Sequence, residues 1–172
     1  LFALPGQIAE LLPVDKWIVE RCKQTMRRCI KLLDEYEIGS ARHEIDDFFW
    51  KDFCDYYVEI SKERLYQPEV HGYEARRSGQ AAIYYCLLNI LKMYGIFVPH
   101  MTEFIYQDAF KDKEGIDCLH MNFWKVDGED TVSAYIRIKA GKSKAGRGEY
   151  KRALPFFTMR FNNLDSALGI LM

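Results

Sequence analysis

Near the amino-terminal end, basic residues are interleaved with a tryptophan: Lys16, Trp17, Arg21, Lys23, Arg27 and Arg28. Lys and Arg side chains bind phosphate oxygens, and an exposed aromatic ring can stack on an unpaired base. Lys16, Lys23 and Arg27 recur at helical spacing, so they lie along one side of a helix. The pattern predicts a nucleic-acid contact. Two alternatives stay open: the cations form a solvated flank, and Trp17 packs in the core beside Ile18.

Two further basic groups extend this pattern. Arg76 and Arg77 precede a later helix, where they either reach the same face or are simply exposed. Residues 131–172 hold eight Lys/Arg and two Asp/Glu, a net charge of +6, whereas residues 1–130 hold sixteen against twenty-three, a net charge of −7. This basic segment includes Lys139, Lys142 and Lys144. A basic end predicts a polyanionic partner, and the alternative is a solvated connector.

Other groups that could do chemistry are better explained structurally. Six carboxylates are spread around one helix and predict its polar face: Glu44, Asp46, Asp47, Asp52, Asp55 and Glu59. Cys118 and His120 form the only close Cys/His pair, whereas tetrahedral zinc takes four ligands. The five cysteines are odd in number, widely spaced and without a C-x-x-C motif, which indicates reduced thiols in a core. We therefore expect no catalytic residue and no metal site.

Long amphipathic helices must position these side chains. Apolar residues at three- and four-residue spacing predict four helices, at about 15–39, 40–65, 74–97 and 99–110. Asp15 and Ser40 are expected to cap the first two helices, and Gly39 to end the first. An aromatic stripe is expected on the second: Ile45, Phe49, Phe53, Tyr56, Tyr57 and Ile60. The expected fold is mainly α, an antiparallel bundle of long helices over residues 13–130. Residues 1–12 form a linker, and residues 131–172 a small mixed or irregular basic appendage.

One helix carries a motif that resembles a known family. Residues 48–65 read FFWKDFCDYYVEISKERL, and they match the pattern W-x-x-F-C-D-x-Y-x-E-x-x-K-x-x-L of class I aminoacyl-tRNA synthetases, closest to the valine-specific branch. The segments DKWI at 15–18 and PHMTEFIYQ at 99–107 resemble the same family at matching distances. The resemblance covers about residues 13–126. The cysteine before Asp55 favours the valine branch over the isoleucine and leucine branches.

The resemblance implies a function for a larger parent protein. A valyl-tRNA synthetase ligates valine to its tRNA with ATP and magnesium, in the cytoplasm. This sequence has no His-x-Gly-His element and no initiator Met, so we expect a fragment that holds the anticodon end of the tRNA and needs no cofactor itself. The expected partners are valine tRNA and the parent's catalytic domain, with no DNA, no membrane and a monomeric state. Alternatives are the isoleucine or leucine branch, or a helical protein-interaction or scaffold module.

Overall fold

The structure is a computed structural model that describes residues 11–126 and 129–131. Its helices are α1 (Pro13–Asp34), α2 (Ile38–Asp47), a π-helical segment (Phe48–Val58), α3 (Glu59–Tyr66), α4 (Pro68–His71), α5 (Tyr73–Tyr94), α6 (Pro99–Ala109) and α7 (Lys111–Glu114). A 3₁₀ turn (Leu119–Met121) leads into an antiparallel hairpin of β1 (Trp124–Val126) and β2 (Glu129–Thr131).

Three helical rods form the main body, which confirms the predicted mainly α bundle. The rods are α1, the continuous helix from α2 through the π-helical segment to α3, and α5. Side chains from the start of α1 meet the end of α3 and the start of α5, so the middle rod runs antiparallel to the other two. Their apolar faces enclose a core that includes Ile18, Met26 and Cys86. The side of α1 that faces away from this core is called its outward side below.

The first helix ends at a residue that the sequence did not indicate. Tyr36, not Gly39, has a left-handed backbone with φ of 63°. Its N–H donates to the carbonyl of Leu33 at 3.1 Å, and the next N–H, of Glu37, donates to Leu32 at 2.8 Å. These two bonds form a Schellman motif, which satisfies the last helical carbonyls. The predictions for Gly39 and Ser40 are wrong, because both residues lie inside α2.

The π-helical segment shifts which side chains of the middle rod are buried. A π turn contains more residues than an α turn, so the buried series runs Ile45, Phe48, Phe53, Tyr57, Ser61 and Arg64. The predicted aromatic stripe is therefore wrong at its end. Tyr56 and Ile60 are exposed by 59% and 47%, and Tyr56 faces α1 near the bundle surface.

A second, smaller apolar cluster joins α6 to α5. It includes Leu91, Tyr106 and Leu119, and the Tyr106 hydroxyl donates to the carbonyl of Ile116 at 2.9 Å. Trp124 on β1 is buried in the main core. The described ranges contain no helix long and apolar enough to cross a membrane. The predictions for residues 1–10 and 132–172 lie outside the described residues.

Candidate nucleic-acid interface

Two lysines on the outward side of α1 are available to bind phosphate. Lys16 is exposed and Lys23 is half-buried. Within the part of the chain that the structure describes, neither forms an ion pair. Seven residues separate them, about 10 Å along the axis at 1.5 Å per residue. The two ammonium groups can therefore bind different phosphates without giving up an internal partner.

The three predicted arginines of α1 each pair with a carboxylate. Arg21 lies 2.8 Å from Asp52, Arg27 lies 3.0 Å from Glu20, and Arg28 lies 3.3 Å from Glu44. Surface ion pairs contribute about 0–1 kcal/mol each. Replacing the carboxylate by a phosphate would therefore cost little free energy. Arg21 and Arg28 also tie α1 to the middle rod, since Asp52 and Glu44 belong to that rod.

Trp17 lies at the bundle surface beside a second aromatic ring. Its side chain is 41% exposed, so it is not a core residue like its neighbour Ile18. The Trp17 and Tyr56 ring centroids are 5.8 Å apart, in an edge-to-face arrangement with an interplanar angle of 68°. Such a pair restrains both rings while leaving ring surface in contact with solvent. Sequence reasoning missed Tyr56, because an uninterrupted α-helix would have buried it.

Arg76 and Arg77 lie inside α5 rather than before it, and no ion pair or hydrogen bond among the described residues joins either of them to α1. Arg76 is half-buried in the first turn of α5. Arg77 is exposed and lies 3.5 Å from Glu74 on its own helix. Lys139, Lys142 and Lys144 lie outside the described residues. The described part of the candidate interface therefore consists of the outward side of α1 with Tyr56.

A buried charge network fixes the start of α1, and with it Lys16 and Trp17. Asp15 is fully buried; it lies in the first turn rather than at the N-cap, which is Leu12. Its carboxylate accepts hydrogen bonds from Tyr57 at 2.6 Å, from Arg64 at 2.8 Å and from Ser78. The Ser78 hydroxyl in turn accepts the Leu12 N–H at 2.8 Å. Burial, followed by the hydrogen bond to Asp15, raises the pKa of Tyr57 well above its usual value.

The carboxylates of the middle rod serve as partners for neighbouring side chains. Asp46 accepts a hydrogen bond from the Tyr94 hydroxyl at 2.6 Å, and Asp47 lies 2.8 Å from Lys51. The hydrogen bond from Lys51 lowers the pKa of Asp47. Burial and the hydrogen bond to Asp46 raise the pKa of Tyr94. Together with the ion pairs of Glu44, Asp52 and Glu59, these contacts indicate structural roles for five of the six carboxylates.

Comparison with known proteins places this arrangement among tRNA ligases. Residues 15–149 match the family model described as the anticodon-binding domain of tRNA ligase. The chain is similar to the valine–tRNA ligase of Pyrococcus abyssi, with 33% identity over 72% of this chain and 14% of that protein. It is similar to the valine–tRNA ligase of Rickettsia felis, with 34% identity over 58% of this chain and 12% of that protein. No solved structure matches the chain at a significant level.

Proposed function

Because this chain belongs to the family of anticodon-binding domains of tRNA ligases, we propose that it binds the anticodon end of a valine tRNA. The chain spans about one seventh of the length of the Pyrococcus relative, 14%. The valine-ligating activity, its ATP and magnesium, and contact with a catalytic domain are proposed for a cytoplasmic parent protein. The observation that carries the proposal is the family match over residues 15–149, which includes every described residue of the interface on α1.

Phosphate binding is assigned to the outward side of α1. Lys16 and Lys23 bind first, since neither has an internal ion pair among the described residues. Arg27 follows by exchanging Glu20 for a phosphate, and such exposed exchanges cost little. Residues 1–130 carry a net charge of −7, so the bundle repels RNA except where cations cluster. Binding is therefore directed to this helix and to the basic segment after residue 131.

Base recognition is assigned to Trp17 and Tyr56. Protein recognition of RNA sequence mostly targets unpaired loops, whose bases stack on aromatic side chains. The two rings are exposed by 41% and 59%, and Trp17 directly follows Lys16 in the sequence. Stacking contributes about 1–3 kcal/mol per base. An anticodon loop presents both the phosphates and the unpaired bases that this surface accepts.

Paired charge-reversal variants test this assignment. The test variant combines Lys16→Glu and Lys23→Glu. The control combines Lys62→Glu and Lys111→Glu, which changes net charge equally at residues paired with Glu59 and Asp117. We expect the test variant to bind tRNA more weakly and to show a shallower dependence of log K on log salt, by about 0.7–0.9 for each phosphate that the lysines no longer neutralise. The control should change affinity less and keep the slope. An equal decrease in both variants would contradict the placement on α1.

Trp17 is tested by replacement with Leu, which keeps an apolar side chain but removes the stacking surface. We expect tRNA binding to weaken by about 1–3 kcal/mol, with an unchanged salt slope. Trp50→Leu is the matched control, because Trp50 is also exposed, by 58%, but packs against Phe49 instead. If both replacements weaken binding equally, Trp17 has no particular role in stacking.

A further inference from the structure

A Glu, a Cys and a His from separate segments converge beside the start of α6. Glu103 lies on α6, whereas Cys118 precedes the 3₁₀ turn and His120 lies within it. One ligand atom from each residue lies within 4.8 Å of the other two, the only such group of three in the described ranges. The sequence indicated only the Cys118 and His120 pair. The fold adds a third possible ligand, Glu103, which lies fifteen residues before Cys118 in the sequence.

We propose that Glu103, Cys118 and His120 bind a divalent transition-metal ion of the zinc type, with solvent completing the coordination. This site is independent of the tRNA interface on α1. Its donors are a carboxylate oxygen, a sulfur and an imidazole nitrogen, the set from which zinc sites are built.

Two of the three donor–donor distances are close to those around a tetrahedral ion. Zinc bonds of about 2.0–2.3 Å imply donor–donor separations of about 3.4–3.6 Å at tetrahedral angles. The Cys118 sulfur lies 3.4 Å from the Glu103 Oε2 atom. The His120 Nδ1 atom lies 3.8 Å from the same oxygen. Both separations are close to those values, and the three ligand atoms all lie within 4.8 Å of one another.

The surroundings orient the imidazole as they do in metal centres. A metal-bound histidine usually donates its other ring N–H to a carbonyl or carboxylate, which fixes the ring. Here the His120 Nε2 atom lies 3.1 Å from the carbonyl oxygen of Gly95, which directs Nδ1 toward Glu103. A side chain at position 95 would meet the Leu91 carbonyl at 3.2 Å and the His120 ring at 3.5 Å.

The carboxylate is held in place by two hydrogen bonds. The Leu119 N–H donates to Glu103 Oε2 at 2.9 Å, and the Gln107 side chain donates to Oε1 at 2.6 Å. A rigid, nearly buried anion next to a sulfur and an imidazole favours a soft or borderline cation over magnesium, which prefers oxygen ligands.

The test is cobalt and zinc titration of the untagged full chain. We expect one equivalent of Co²⁺ to produce a thiolate-to-cobalt charge-transfer band that Zn²⁺ then abolishes. Cys118→Ser should remove the band. Cys54→Ser should keep it, since Cys54 is the other half-buried cysteine but lies outside the cluster. No band in the wild-type chain, or a band that survives Cys118→Ser, would overturn the proposal.

A second measurement covers the case in which Cys118→Ser does not fold. Zn²⁺ should raise the melting temperature of the wild-type chain, and Mg²⁺ at the same concentration should not. His120→Gln keeps a side-chain donor but removes the imidazole, so the zinc affinity should fall by more than about tenfold. An equal response to both ions, or an unchanged zinc affinity in His120→Gln, would also overturn the assignment.

Discussion

Replacement of Asp15 by Asn removes the negative charge that lies 2.8 Å from the buried Arg64 guanidinium. The two side chains are exposed by 0% and 9%, so water cannot take the place of the missing carboxylate. Breaking a buried ion pair by removing one member costs about 3–5 kcal/mol. A domain has about 5–15 kcal/mol of stability in total. Asp15→Asn alone should therefore lower the free energy of unfolding by a large fraction.

The double-mutant cycle with Arg64→Met separates this explanation from a simple packing defect. Arg64→Met should cost a similar amount, since among the described residues it leaves the Asp15 carboxylate with the uncharged Tyr57 and Ser78 hydroxyls as donors. The double variant contains neither a buried carboxylate nor a buried guanidinium without its charged partner. We expect it to be destabilised by no more than either single variant, which implies a coupling energy of about 3 kcal/mol or more.

Urea unfolding followed by circular dichroism measures these free energies, with the slope m as the check for two-state behaviour. Glu44→Gln is the control, because the Arg28–Glu44 pair spans 3.3 Å at the surface with side chains 57% and 36% exposed. Its effect should be within about 1 kcal/mol. Additive single effects, or an Asp15→Asn effect as small as that of the control, would refute the explanation.

Two further experiments test the fold. Tyr36→Gly should raise the free energy of unfolding by about 0.5–1 kcal/mol, because glycine adopts the left-handed backbone at φ of 63° without strain. The control is Tyr66→Gly, since Tyr66 is similarly exposed but lies in a right-handed helix. In the same urea assay this control should lower the free energy of unfolding. In native-state alkylation read by mass spectrometry, Cys54 and Cys118 should react before the buried Cys22, Cys29 and Cys86. Burial raises the pKa of the Cys29 thiol to about 12, which suppresses its thiolate; early modification of Cys29 would show that the α1–α2 core opens readily.

The sequence predicts the helices well because hydrophobic periodicity is local. Pro13 and Pro99 in the first turns of α1 and α6 are where proline is tolerated in a helix. The end of α1 was missed, because a Schellman motif depends on backbone geometry and Tyr36 accepts a conformation that glycine usually takes. The exposure of Tyr56 was missed for a similar reason, since no residue type marks a π-helical turn.

The candidate interface was predictable as residue types but not as an arrangement. The cations of α1 could be identified from spacing, but the pairing of Arg21 and Arg28 with Asp52 and Glu44 depends on where the middle rod lies. Asp15 was interpreted as a helix cap, because its buried partners Arg64 and Ser78 are 49 and 63 residues away. The proximity of Glu103 to His120 could not be predicted from the sequence either, because it depends on how the chain turns back onto α6.

A competition titration shows whether this chain recognises the anticodon end of valine tRNA. The chain is titrated with valine tRNA at two salt concentrations, with isoleucine tRNA and a valine tRNA of altered anticodon as competitors. We expect valine tRNA to bind most tightly and the anticodon change to abolish its advantage. Equal, weak binding of all three with a steep salt dependence would show only a charged surface. No binding even at low salt would contradict the proposed function and favour a protein partner.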